Sequence, residues 1–239
     1  MNQLKNFKQD FINKAKLEIE LFKKYYKIIC IYIFVLVYIA STLGRNLAYY
    51  RNKPADRLKD LGFEIFPELN SQLKIISEVI LFLNHFIGIN IVLSPLFYKP
   101  TCNLSTILIG KRILSILSIG HVIRLLMYLS TSLPSPATHC LSNSGQLNPP
   151  SNVLQIFTRF SSFNDLNCGD LIFSGHMFQS ISFTIVTYIY SPYLVNYLFS
   201  KLLILFQILD SISQIFFIIA SRNHYTIDIV TAIYVCFTL

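Results

Sequence analysis

The sequence predicts an all-α fold, a polytopic membrane protein built as a six-transmembrane-helix bundle. Hydrophobic residues make up 53% of the 239 residues, which is more than a single soluble core of this size normally holds. Apolar stretches of about 20 residues, each about 30 Å long as a helix, recur between short polar breaks. Lys and Arg, which give a formal net charge of +8, gather at the ends of these stretches. This distribution favours a membrane surface as the partner and argues against nucleic acid.

The apolar stretches define six spans in chain order. They are expected over residues 28–50, 73–97, 104–133, 171–190, 197–220 and 225–239. The sixth is only about 22 Å long at 1.5 Å per residue, against about 30 Å for the hydrocarbon core of a bilayer. We therefore expect this last span to be truncated.

Residues 1–27 are expected to form a cytosolic, basic, amphipathic segment ahead of a membrane domain over residues 28–239. The segment has seven lysines against three acids, so the positive-inside rule places the amino terminus in the cytosol. Apolar residues recur among the lysines at helical spacing, at Leu4, Phe7, Phe11, Ala15 and Phe22. This pattern predicts an interfacial helix on an anionic leaflet, with a solvated basic tail as the alternative.

Alternating the spans from a cytosolic amino terminus places the long loop over residues 134–169 on the external side. The loop contains one Lys or Arg residue, Arg159, in agreement with the positive-inside rule. The first external loop departs from the rule through four cations, which four acids accompany: Arg51, Lys53, Arg57, Lys59, Asp56, Asp60, Glu64 and Glu68. Cys140 and Cys168 are expected to form a disulfide if their loop lies in a lumen.

Two short segments stand apart from the apolar background. Residues 168–176 read Cys-Gly-Asp-Leu-Ile-Phe-Ser-Gly-His at the start of the fourth span, and residues 224–228 read His-Tyr-Thr-Ile-Asp at the start of the sixth. The fourth and fifth spans separate them, and this even number of crossings returns His176 and His224 to one face of the membrane. A lone histidine at a helix end is often a capped surface residue, but this pair predicts a site.

The two histidines can divide the work of a group transfer. His224 and Asp228 are four residues apart, so we expect them on one face of a helix. The carboxylate would keep one imidazole nitrogen protonated and leave the other as a nucleophile. His176 would supply the acid that protonates a leaving oxygen and the base that later deprotonates an alcohol.

The third span carries a polar stripe on one helical face, formed by His121, Arg124, Tyr128 and Thr131. Arg124 is expected about 15 Å below the external end, where a charge needs a water-filled cavity or an anion. A phosphate would suit it. Pairing with Glu78 or Asp210, which also lie within spans, is the structural alternative.

The residues of these segments resemble the signature of the sphingomyelin synthase family, which is related to the lipid phosphate phosphatase superfamily. The family pattern Cys-Gly-Asp-x3-Ser-Gly-His-Thr is matched from Cys168 to His176, with Met177 in place of Thr. The later pattern His-Tyr-Thr-x-Asp-Val is matched from His224, with Ile229 in place of Val. An upstream pattern, Arg-Arg-x8-Tyr-x2-Arg-x6-Thr, is met with correct spacing at Lys111, Arg112, His121, Arg124 and Thr131, where Lys111 and His121 are departures.

The resemblance implies a catalytic triad of His176, His224 and Asp228, a phosphohistidine intermediate, and no metal or cofactor. It implies transfer of phosphocholine from phosphatidylcholine to the primary hydroxyl of ceramide, giving sphingomyelin and diacylglycerol. The catalytic face would be lumenal or extracellular, in the Golgi or plasma membrane. Substrate-binding roles are expected for Arg124, His121, Tyr128, Asp170, Ser174 and Tyr225.

Several alternatives stay open on the sequence. Phosphoethanolamine or phosphoinositol could replace phosphocholine, and a homo-oligomer is compatible with the chain. A lipid phosphate phosphatase shares Ser-Gly-His and the terminal His-x3-Asp, but it usually has an Arg six residues before the second histidine, where this chain has Ile218. A transporter would more often show repeats and broken helices. An inactive, truncated relative is the remaining alternative, because the sixth span is short.

Overall fold

The computed structural model describes residues 2–70, 73–97, 104–141, 144–160 and 168–239, with the side chains of the first helix described from residue 9. All regular elements in these ranges are helical, and no β-strand occurs among them, which confirms the predicted all-α class. The predictions for Leu4 and Phe7 concern side chains that lie outside this described part.

The elements follow one another along the chain as nine α-helices with a π-helical and a 3₁₀ segment within the described ranges. The α-helices are α1 (Asn2–Phe34), α2 (Arg45–Arg51), α3 (Leu61–Ile65), α4 (Ile75–Phe97), α5 (Thr106–Ser130), α6 (Val153–Thr158), α7 (Gly175–Leu194), α8 (Tyr197–Ala220) and α9 (Thr226–Thr238). The π-helical segment Val35–Gly44 joins α1 to α2, and a 3₁₀ turn covers Thr138–Cys140.

Among the described residues, four helical segments are long and apolar enough to cross a membrane. They are Gln9–Arg51, α4, α5 and α8. The predicted count of six spans is not confirmed, because α7 is too polar for this criterion and α9 has only 13 residues. The polarity of α7 has a structural reason: it packs against α4, α5, α8 and α9, so its polar side chains face protein instead of lipid.

The interior polar contacts of α7 pair small side chains across helices. Ser180 Oγ lies 2.9 Å from Ser211 Oγ, and Ser191 Oγ lies 2.7 Å from Ser200 Oγ, both on α8. Close approach also uses glycine, since a Cβ at Gly120 of α5 would collide with the Phe178 ring of α7. Small residues and hydrogen-bonded hydroxyls are the common means by which membrane helices pack.

The basic amino-terminal segment is continuous with the first span. The predicted boundary at residue 27 falls within α1, so the basic segment and the beginning of the first span form one helix. Glu18 ties this helix to the start of α5, because its carboxylate accepts hydrogen bonds from Thr106 N at 2.9 Å and Ile107 N at 3.0 Å. A carboxylate at a helix amino terminus satisfies amides that have no partner within that helix.

The loop predicted to be the first external one contains ion pairs centred on Glu68. Glu68 accepts from Arg57 at 3.1 Å and from Lys74 at 3.1 Å, and Arg222 lies 3.9 Å away. Partial burial raises the pKa of Glu68, but the hydrogen bonds from Lys74 and Arg57 outweigh it and hold that pKa below its ordinary value. These contacts therefore hold the loop against the residues that precede α4 and α9.

Candidate active site

The carboxylate of Asp228 holds the two motif segments together. Its Oδ2 atom lies 2.9 Å from His224 Nδ1 and accepts from Tyr225 N at 3.1 Å, while its Oδ1 atom accepts from Ile172 N at 2.8 Å. The backbone carbonyl of Asp228 also accepts from Ser174 N at 3.0 Å. Asp228 is completely buried, so this carboxylate is stabilised only because all these donors surround it.

The pair of His224 and Asp228 forms in a different way from the predicted one. The helix begins at Thr226, with Tyr225 as its N-cap, so His224 lies in the bend before α9 and not on its face. Asp228 occupies the third helical position, where a carboxylate commonly turns back to cap the amino terminus. The His224 ring meets the same carboxylate, so the contact depends on capping geometry.

Ile172 adopts a backbone conformation that suits glycine better than a β-branched residue. Its φ angle is 74°, in the left-handed region where branched side chains are strained. The hydrogen bond from Ile172 N to Asp228 helps to hold this conformation. Such strain is most common at functional sites, and here it shapes the turn that leads into α7.

His176 lies at the beginning of α7 and is held by a residue of α4. Its Nε2 atom lies 3.0 Å from Glu78 Oε1, and the two side chains are 31% and 56% exposed. The sequence singled out Glu78 only as an alternative partner for Arg124. The signal that could have identified it is the presence of an unpaired acid within an apolar span.

The structure brings the two histidines together, as expected from the even number of spans predicted between them. Their ring centroids are 6.3 Å apart with the ring planes at 65°, an edge-to-face arrangement, and His224 is only 5% exposed. His224 presents Nε2 because Nδ1 is bonded to Asp228, and His176 presents Nδ1 because Nε2 is bonded to Glu78. Two imidazoles at this distance can both reach groups on one phosphorus atom.

Arg124 pairs with Asp170 of the first motif, and not with Glu78 or Asp210. Its guanidinium donates to Asp170 Oδ2 at 2.7 Å and to the Phe173 carbonyl at 3.0 Å. Gly175 lies beside the guanidinium, since a Cβ there would be 3.4 Å from the guanidinium carbon, an ordinary contact distance. Burial raises the pKa of Asp170, but the charges of Arg124, Arg45 and His224 and the hydrogen bond from Arg124 outweigh it, so the pKa lies below its ordinary value.

Three residues of the predicted polar stripe face the bundle interior, where His121, Arg124 and Tyr128 are all buried. Thr131 does not join them, because it follows the end of α5 and is exposed. His121 Nε2 lies 3.1 Å from Gln179 Nε2, and its ring meets Phe178 edge to face at 5.9 Å. These contacts are with α7 and not with the two catalytic candidates. The Tyr128 hydroxyl is buried without a hydrogen-bond partner and lies against Gly44.

Two further substrate-binding candidates are engaged by protein groups. Ser174 caps α7 by accepting from Met177 N at 3.4 Å. The Tyr225 hydroxyl accepts from Leu58 N at 3.1 Å and donates to the Pro134 carbonyl at 2.9 Å, which joins both external loops to α9. Their roles toward substrate stay predictions, and these contacts give both residues a positioning role.

The external loop is closed by the Cys140–Cys168 disulfide, with a Cα–Cα distance of 5.8 Å. These two cysteines and His139 form the group of potential metal ligands found within the described residues. Because both sulfur atoms are used in the disulfide, the thiolates that a soft metal prefers are absent from this group. The disulfide instead anchors the start of the first motif beside Tyr49, at the end of the first span.

A groove on the lipid-facing side of α4 begins at Glu78. Its volume is about 680 Å³, and it is lined by Glu78, Leu81, Phe82, His85, Phe86, Ile89, Asn90 and Leu93. The lining is mostly apolar, and its polar end coincides with the partner of His176. This arrangement can hold an acyl chain while the polar part of the lipid reaches the two histidines.

Comparison with protein families defines the class of the site. Residues 167–239 match the family model described as PAP2 superfamily C-terminal. This stretch includes both motif segments and α7 to α9. The carboxyl-terminal part of the chain is therefore similar to this family.

The chain is also similar to curated proteins named phosphatidylinositol:ceramide inositolphosphotransferase. The protein from Oryza sativa subsp. indica is 34% identical over 206 residues, which cover 84% of this chain and 60% of the rice protein. The Arabidopsis thaliana protein numbered 2 is 34% identical over 194 residues, which cover 80% and 61%. The Trypanosoma cruzi protein is 28% identical over 237 residues, which cover 85% and 69%.

These relatives and the family match are consistent with the predicted resemblance to the sphingomyelin synthase family, which is related to the lipid phosphate phosphatase superfamily. They do not confirm phosphocholine as the transferred group or sphingomyelin as the product. Their names favour inositol, which the sequence left open as an alternative. The chain spans about three fifths of the length of the rice and Arabidopsis relatives that it matches.

Proposed function

We propose that this membrane protein transfers phosphoinositol from phosphatidylinositol to the primary hydroxyl of ceramide, through a phosphohistidine on His224. The observation that carries the proposal is the meeting of two imidazoles, 6.3 Å apart, with His224 bonded through Nδ1 to a buried carboxylate. The choice of inositol is supported by the names of the relatives. A phosphocholine or phosphoethanolamine donor is the alternative outcome of the test below.

In the first step, His224 Nε2 attacks the phosphorus of the donor. The new P–N bond forms as the P–O bond to diacylglycerol breaks, and His176 gives its Nδ1 proton to the leaving oxygen. Asp228 stabilises the positive charge that develops on the His224 ring. Glu78 stabilises the protonated form of His176 before the transfer.

In the second step, the ceramide hydroxyl attacks the phosphohistidine. His176 takes the hydroxyl proton, the new P–O bond forms and the P–N bond breaks, which returns both histidines to their starting state. Water must be kept from the phosphohistidine, or hydrolysis replaces transfer. The apolar groove beside Glu78 supports this requirement, because a lipid acyl chain along α4 excludes water from the approach to His176.

The catalytic face would lie on the external or lumenal side of the membrane. The disulfide supports this placement, since disulfides persist in oxidising compartments. The amino terminus would then lie in the cytosol, with Golgi or plasma membrane as the compartment. Phospholipid donor and ceramide would both reach the site from the bilayer.

A lipid phosphate phosphatase fits the described residues less well. The side chain at position 218, where such an enzyme usually has arginine, is a fully buried isoleucine. Arg222 does not replace it, because its guanidinium donates to the carbonyls of Phe63 and Phe66 and lies 4.3 Å above the Phe63 ring. The site therefore has no cation at that position to bind a phosphate monoester.

The test is a transfer assay on the full chain reconstituted in vesicles with a fluorescent ceramide. Phosphatidylinositol, phosphatidylcholine and phosphatidylethanolamine are supplied one at a time, and the new lipid is identified by mass. We expect a phosphoinositol product, no product with His224→Gln, and normal turnover with His139→Gln as the control outside the site. Near-normal turnover in His224→Gln would reject the scheme, and product from another donor alone would reject inositol.

A further inference from the structure

We propose that Arg45 binds the phosphate of the donor lipid, an assignment that rests on the proposed function. Arg124 was the cation expected there, but its guanidinium is bonded to Asp170 and to the Phe173 carbonyl. The negative charge of the donor phosphodiester needs a cation near the two histidines to stabilise it as it is transferred. Arg45 lies in a position to supply one.

The backbone places Arg45 beside the first motif. Arg45 is the first residue of α2, and Ala48, one turn further, lies on the same helical face. That face packs on the first motif, because a Cβ at Gly169 would lie 2.8 Å from the Ala48 carbonyl oxygen and 3.0 Å from the Asn52 Cβ. Arg45 is therefore one helical turn from the point where α2 contacts Gly169, the residue before Asp170.

The electrostatic influence of Arg45 agrees with this position. Its charge contributes to lowering the pKa of Asp170, and it also acts on Glu78, the partner of His176. These two carboxylates come from different helical regions and border the site from two sides. The charge of Arg45 therefore reaches both carboxylates, and its guanidinium offers five N–H donors in a planar fork that matches phosphate oxygens.

A buried hydroxyl next to Arg45 is a second, independent indication of a ligand. Tyr128 is 2% exposed and its hydroxyl has no hydrogen-bond partner. The hydroxyl lies against Gly44, immediately before Arg45, so closely that Gly44 has no room for a Cβ. Buried polar groups almost always have a partner. A phosphate oxygen held by Arg45 would provide one.

The π-helical segment ahead of Arg45 explains how the chain reaches this position. Val35–Gly44 is π-helical for ten residues, and the Ser41 and Thr42 hydroxyls each donate to the carbonyl five residues earlier. The π-helix is rare and is often found at functional sites. Its wider turn changes the helical face that the following residues present, and α2, which begins at Arg45, follows it directly.

The test compares Arg45→Gln and Arg45→Lys with Arg51→Gln, which removes the same charge from an exposed position six residues further along the helix. In the transfer assay, we expect Arg45→Gln to raise the KM for phosphatidylinositol about 10- to 100-fold, the loss typical of a hydrogen bond to a charged group. The KM for ceramide should stay within twofold. Arg45→Lys should recover part of the affinity, and Arg51→Gln should behave as the wild type.

A binding measurement separates failure of this assignment from failure of the proposed function. Thermal unfolding of the full chain in detergent is followed with phosphatidylinositol, with diacylglycerol, which lacks the phosphate, and with inorganic phosphate. We expect only phosphatidylinositol to raise the Tm of the wild type, and Arg45→Gln to lose that increase without a change in its Tm alone. The assignment is overturned if Arg45→Gln keeps the increase, if the wild type shows none, or if inorganic phosphate stabilises equally, whether or not transfer is observed.

Discussion

The two histidines of the candidate site have contrasting surroundings. His224 is buried, and its carboxylate partner is completely buried and accepts three hydrogen bonds. His176 is partly exposed, and its partner Glu78 is more exposed still and lies at the end of an apolar groove. The His224 side is thus rigid, whereas the His176 side is open to the bilayer.

This difference matches two chemical tasks. A nucleophile that forms a covalent bond to phosphorus needs one fixed orientation. An acid that first protonates diacylglycerol and later deprotonates ceramide must accept two different lipids in turn. We therefore expect changes on the rigid side to abolish the first step, and changes on the open side to slow both steps without abolishing either.

The largest effect is expected from Asp228→Asn. The amide nitrogen of asparagine cannot accept a hydrogen bond, so at least one of the three donors to Asp228 loses its partner and His224 loses its charged partner. We expect kcat to fall about a thousandfold or more, as in other carboxylate–histidine pairs, with no trapped phosphohistidine from a phosphorus-labelled donor. Asp56→Asn, on the exposed part of the first external loop, is the matched control. Asp228→Asn with normal labelling of His224 would contradict the rigid role.

A smaller effect is expected from Glu78→Gln. The amide oxygen still reaches His176 Nε2, but it cannot stabilise the protonated ring by charge. We expect turnover to fall about 10- to 100-fold, the scale of a charged hydrogen bond, while His224 is still labelled, more slowly, by the donor. Glu64→Gln, which changes an exposed acid on α3, should leave turnover unchanged. Complete loss of labelling in Glu78→Gln would show that Glu78 serves the nucleophile instead.

The sequence could predict the meeting of the two histidines because topology decides it. Helices that begin on the same side of a bilayer bring their first residues to one face, whatever their detailed packing. The residues that pair inside the bundle could not be predicted in this way. Arg124 had two candidate partners within spans, and the structure gives it Asp170 at the entrance to α7, because only packing decides which charges meet.

The same limit applies to local geometry. The four-residue spacing of His224 and Asp228 correctly brought the two side chains together, but the helix starts only at Thr226 and the contact is made through a cap. The predicted number of spans was not confirmed at α7, because the polar residues of this helix are covered by neighbouring helices. Hydropathy identifies helices whose side chains face lipid, and a central helix exposes few side chains to lipid.

The smallest effect is expected from Tyr225→Phe. This change tests whether the rigid surroundings of His224 depend on the contacts between α9 and the two loops. The change removes an acceptor from Leu58 N and a donor to the Pro134 carbonyl, so two loop groups lose their partner. We expect a loss of about 1 to 3 kcal/mol in the free energy of unfolding, measured by thermal unfolding in detergent, with turnover reduced by less than about tenfold. Tyr234→Phe, on the same helix but exposed, should change neither. Loss of turnover without loss of stability would mean that the Tyr225 hydroxyl acts on the substrate, and the rigid side would then include a residue that binds the lipid directly.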